Sequence, residues 1–233
     1  NIHPIGTICH ELGPVLGLPD LYDTSENSAP AIGAWGLMGT GNWQNQISPA
    51  YICAWSRARL NFIEPVILEG IMDSSLSILP AEGADKAAAY ILPMDSNLPQ
   101  EYIMLENRQR IGSDQHLAGT GMLVWHIDET ITDMHPFMTT VNVNPDFYGV
   151  NLLQADGDGD LYNKYGVADE SDSYPVGSIQ NIYNIELYSY DRDADGIVDE
   201  YNNSRIDILN IEELSDSTVS CSITNPNMHG RIL

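Results

Sequence analysis

The stretch His10-Glu11-Leu12-Gly13-Pro14-Val15-Leu16-Gly17-Leu18-Pro19-Asp20 decides how the rest of the chain is read. Its opening reads like H-E-x-x-H, a helical pattern, with one histidine missing. A turn takes 3.6 residues, so histidines four apart leave one face and can share a Zn²⁺ ion. The glutamate between them then sits beside the metal as a general base. An extension, x-x-G-x-x-H, turns the chain out of the helix at glycine and supplies a third ligand three residues later. Here His10, Glu11 and Gly17 hold their places, and Asp20 stands at the third-ligand position. Position 14, where the second histidine belongs, is Pro14. Catalytic zinc takes three protein ligands plus water, so His10 and Asp20 alone should hold it far more weakly. His3, His116, His135 and His229 sit in no motif; His3 is the nearest in sequence to the vacant position.

Outward from this stretch, residues 5–17 are expected to form the helix. Pro14 lacks an N–H and crowds the preceding turn, at a cost of about 3 kcal/mol, so the helix should kink or shorten there. Gly17 is the natural stop. Residues 20–46 are rich in Gly, Ser, Asn and Asp and read as a long loop carrying Met38. Taken alone, Met38 could be a core methionine. A helix is expected over 48–61, with Ser48 as N-cap and Pro49 at its first position. Arg57 and Arg59 near its end suit the helix dipole. After Pro65 the texture changes to short apolar or alternating runs split by Pro, Gly, Asn and Asp. Strands are expected at 66–69, 75–79, 88–92, 102–107, 122–127, 150–153, 206–209 and 218–223. A domain boundary is placed at 64/65, giving units 1–64 and 65–233.

With these segments in view, the chain resembles the immune inhibitor A-like secreted metallopeptidases. That family reads H-E-x-G-H-x-x-G-x-P-D, with Asp as third zinc ligand. The likeness is carried by Gly6-Thr7-Ile8-Cys9-His10-Glu11-Leu12-Gly13 and by Leu16-Gly17-Leu18-Pro19-Asp20-Leu21-Tyr22-Asp23. Trp35-Gly36-Leu37-Met38-Gly39 is similar to its Met-turn. Tyr102 to Gln109, Gly121 to Asp128 and Val150 to Gly157 are similar to its later segments, in the same order. The resemblance implies an α+β fold: the C-terminal part of a zincin or metzincin-like catalytic domain, then a β-rich, sandwich-like module. It implies peptide-bond hydrolysis in protein substrates, with Glu11 as base, His10 and Asp20 as zinc ligands, and a secreted location. It also implies an upstream part flanking the cleft, so the chain reads as a fragment opening at the active-site helix.

Composition narrows the function classes. Asp and Glu number 33 against 9 Lys and Arg, a net charge of −24. Phosphate binding needs a basic face, so nucleic acid and anionic membrane surfaces are poor partners. No run of about 18 apolar residues exists, so no span is expected. Cys9, Cys53 and Cys221 are odd in number and cannot all pair; a Cys9–Cys53 disulfide and buried free thiols both remain open.

Clustered Asp suggests hard-cation sites. Asp191, Asp193, Asp195, Gly196, Ile197 and Asp199 follow D-x-D-x-D-G-x-x-D, an EF-hand-type calcium loop with a backbone carbonyl at its seventh position. Position 12 is Asn202, not Glu. Asp156, Asp158 and Asp160 repeat the first three ligands but have Leu161 where glycine belongs. The resemblance implies a cation site there, with Asp169 and Asp172 contributing. His126, in Trp125-His126-Ile127-Asp128, reads as a structural strand histidine. Two rivals to the peptidase stay open: a pseudopeptidase that works by binding, and a calcium-stabilised structural or adhesion module.

Overall fold

The computed structural model of the protein describes residues 5–46, 48–83, 89–94, 100–134, 140–185 and 204–227. The expected calcium loop at Asp191–Asp199 lies outside these residues, as do His3, His135 and His229. The chain is α+β. Three α-helices are present among the described residues: α1 (Ile5–Leu16), α2 (Ala54–Arg59) and α3 (Glu129–Met134). The strands are β1 (Val66–Ile67), β2 (Ile71–Ile78), β3 (Tyr90–Pro93), β4 (Glu101–Arg108), β5 (Gly121–Asp128), β6 (Val150–Leu152), β7 (Asp207–Glu213) and β8 (Val219–Asn225). Each overlaps a run that alternation and turn residues had marked.

Two sheets form. One has the order β1-β3-β4-β5-β6, the other β2-β8-β7. β1 runs parallel to β3, and the other pairs are antiparallel. β4 and β5 lie at the centre of the larger sheet and are covered on both faces. Alternation sorts their side chains. Ile103, Leu105, Met122 and Val124 pack with Ile208, Val219, Cys221 and Ile223 of the smaller sheet. Met104, Leu123, Trp125 and Ile127 pack instead with Leu18, Trp35, Met38 and Trp55. Period-two side chains thus serve two cores at once. The second cluster draws residues from both sides of position 64/65 into one core.

One local expectation fails for an identifiable reason. The 48–61 helix is only α2, Ala54–Arg59, with Cys53 as N-cap and no side-chain cap. Residues 48–53 are not helical and find partners elsewhere. Ser48 Oγ donates to the Ser113 carbonyl, Tyr51 N–H donates to Asp114 Oδ1, and the Tyr51 carbonyl accepts from Arg108. Tertiary hydrogen bonds override the local cap signal. Within 20–46, 3₁₀ turns form at Gly33–Trp35 and Thr40–Gln46. All three cysteines are free.

One buried polar network ties the layers together. Arg57 pairs with Glu106 at 2.8 Å, and Trp125 donates its indole N–H to the other Glu106 oxygen at 2.8 Å. Arg108 forks onto Asp114 through two 2.7 Å bonds and gives a third to the Trp35 carbonyl at 2.6 Å. Arg57, Glu106, Arg108 and Asp114 are all at most 1% exposed. The guanidinium fork matches carboxylate geometry, which is how charge is tolerated at that depth.

Candidate metal centre

α1 buries a narrow face: Gly6, His10 and Gly13. Two glycines on that face allow close approach. A Cβ on Gly6 would collide with the Asn42 carbonyl, and one on Gly13 would lie 2.7 Å from Met38 Cε. Met38 therefore sits directly beneath the helix, within one turn of His10. On the remaining faces Ile5, Ile8, Leu12, Val15 and Leu16 are exposed.

Of the kink or shortening expected at Pro14, the shortening does not occur; the helix continues to Leu16. The reason is its place in the last turn. Only the bond that residue 14 would give to the His10 carbonyl is lost. Gly17, at φ 100°, then closes the end. Leu18 N–H reaches the Gly13 carbonyl at 3.0 Å, and Gly17 N–H reaches that of Pro14 at 3.2 Å. This pair of bonds is a Schellman cap, and it turns the chain toward Asp20.

The turn brings Asp20 back over His10. Asp20 Oδ1 lies 3.1 Å from His10 Nε2. On the other side of the ring, Nδ1 lies 2.8 Å from the Leu37 carbonyl, to which it donates. Leu21 N–H donates to the Met38 carbonyl at 2.9 Å, so the Asp20 loop and the Met38 turn are sewn together. A histidine whose Nδ1–H is held by a backbone carbonyl presents Nε2 outward, as metal-binding histidines do. The Asp20 hydrogen bond raises the His10 pKa, against burial, with the Leu37 carbonyl adding to it.

The geometry suits two zinc ligands. Atoms bound at about 2.0–2.1 Å in a tetrahedron are about 3.3 Å apart, close to the observed separation. It does not supply a third. Pro14 is exposed and has no donor atom, and among the described residues no three His, Cys, Asp or Glu side chains converge to hold a metal. Glu11 is exposed on the same helix. Sequence reasoning missed Tyr22, whose ring centroid lies 5.9 Å from that of His10. Burial and then Asp20 raise its phenol pKa. Its adjacency to Asp20 was the only signal.

The acidic segment makes local hydrogen bonds. Asp156 Oδ1 accepts from Asp158 N–H, and Asp169 caps its own short turn through Ser171. Asp172 is buried and accepts the Trp35 indole N–H at 2.8 Å. Burial pushes its carboxyl up to about 6. Asp160 is raised by burial and by Asp169 and Asp156. These five carboxylates do not converge on one metal position. Asp156 and Asp169 close local turns, and Asp172 braces the loop that leads to Met38.

His126 is buried in β5 with Nε2 2.9 Å from Glu101 Oε1. Burial pushes its imidazole down to about 4, with Asp128 pulling the other way. A depressed histidine contributes stability that is complete above about pH 6.5 and is lost as pH falls toward 4, about 3 kcal/mol in all. Thermal melts between pH 7 and 4 should show this acid limb, and His126→Gln should flatten it. An undiminished limb in the variant would assign the effect to other groups.

Residues 2–67 match the family model described as the immune inhibitor A peptidase M6, catalytic domain. No curated protein matches the chain. Among the described residues no helix is long and apolar enough to cross a membrane.

Proposed function

We propose that the chain carries the metal helix of a zinc peptidase acting on protein substrates. His10 and Asp20 are two of its zinc ligands, and Glu11 is the residue placed to take a proton beside them. The observation that supports this most is the approach of His10 Nε2 to Asp20 Oδ1 over Met38. It falls within the segment that resembles a peptidase catalytic domain. Met38 takes the part of the Met-turn in this reading. A secreted location rests on the resemblance, and calcium at Asp191–Asp199 rests on loop spacing.

The donor set is one short, so the chain as written is expected to bind Zn²⁺ weakly and to leave casein uncut. Metal analysis after dialysis against a mild chelator checks this. Zinc surviving at one ion per chain would mean that another residue replaces the missing ligand. Pro14 favours a second reading, in which the same cleft binds protein without cutting it. Retained binding of a peptide with no cleavage would select that reading.

A further inference from the structure

One end of the five-stranded sheet collects buried polar groups that the metal helix does not use. Glu101 of β4 stands directly opposite Asp128 of β5. Two residues earlier on β5, His126 stands opposite Asn151 of β6. Alternation puts these four on the face that carries Ile103 and Val124. Their exposures are 2, 3, 8 and 4%. Like charges directly opposite across a sheet repel. Asp128 is partly satisfied, since its Oδ1 accepts from Thr130 and caps α3. Burial lowers the His126 pKa, and its Nε2–H donates a hydrogen bond to Glu101. Asn151 Oδ1 is buried and has no hydrogen-bond partner. A buried acceptor left so costs about 1–3 kcal/mol unless something fills it.

All four side chains line one well of about 10 Å³, with Ile131 and Phe147 at its apolar wall. That volume holds one water-sized group. We propose that the well takes the head of a primary alkylammonium group, its alkyl stem leaving the well past Ile131 and Phe147. The head is the smallest organic cation with three donors and no acceptor. It supplies what Asn151 Oδ1 lacks and offsets the facing carboxylates. A guanidinium, a planar fork of five donors, is larger than one water-sized group. A metal ion would need more converging ligands than the described residues give. A free amine and a lysine side chain share this chemistry.

Calorimetric titration of the whole chain tests the proposal. The probes are n-pentylamine, n-pentanol, and the N-acetyl N-methylamides of lysine and arginine. Pentylamine is expected to bind one to one, and pentanol not at all. Glu101→Gln should weaken the amine by about 30-fold or more, as removing one partner of a buried charge pair does. Ile131→Trp fills the apolar wall without touching the polar groups and should abolish binding at an unchanged melting temperature. Lysine derivative binding as well as pentylamine assigns the site to protein lysines; pentylamine alone assigns it to free amines. Equal binding of pentanol, equal binding of the arginine derivative, no amine binding, or indifference to Ile131→Trp overturns the proposal.

Discussion

Pro14→His is expected to give the protein a zinc-dependent rise in melting temperature that the parent lacks. Position 14 lies one turn beyond His10, so an imidazole there leaves the helix on nearly the same side. His10 Nε2 and Asp20 Oδ1 already stand 3.1 Å apart, and the new ring would complete a three-ligand set. Zinc at a thousand times its dissociation constant adds about 4 kcal/mol by mass action, which for a chain of this size is about 10 °C. The substitution alone returns one hydrogen bond, to the His10 carbonyl. Because Pro14 lies in the last turn of α1, that gain is nearer 1 kcal/mol than the 3 kcal/mol of a helix interior. Glu11→Gln in the same background should keep the zinc-dependent rise while removing any cleavage. Melts of parent and variant, with and without Zn²⁺, decide the matter. A variant whose melting temperature ignores zinc would show that α1 is not a metal helix.

Arg108→Met should cost more stability than any surface change. The side chain has no exposure and serves Asp114 and the backbone carbonyls of Trp35 and Tyr51. Methionine fills much of the volume but leaves Asp114 buried without its partner. Breaking a buried pair from one side costs about 3–5 kcal/mol, roughly 10 °C here. Urea unfolding measures the loss directly. A second consequence is local: the Trp35 carbonyl is released three residues from Met38. A cost below about 1 kcal/mol would mean that the network is hydrated rather than sealed.

Much of this architecture is legible in the order of residues. Apolar or alternating runs marked the strands seen among the described residues, because a pleat turns successive side chains to opposite faces whatever else surrounds it. The α1 helix and its glycine stop were legible too, since a C-terminal cap depends on a few adjacent residues. His10, Glu11 and Asp20 were named from motif spacing together with the family resemblance. Long-range structure decided the rest. The 48–61 helix shrank to six residues because Asp114 and Arg108, far along the chain, claim the backbone of Tyr51. Asp172 was expected beside a cation and was found holding the Trp35 indole, 137 residues away. No local pattern announces such a partner. Nor could spacing say that Asp20 would close onto His10 while Leu37 held the other ring nitrogen, or that Glu101, Asp128 and Asn151 would meet in one well. Which side chains share a site is settled only when sheet register and loop closure bring distant residues together.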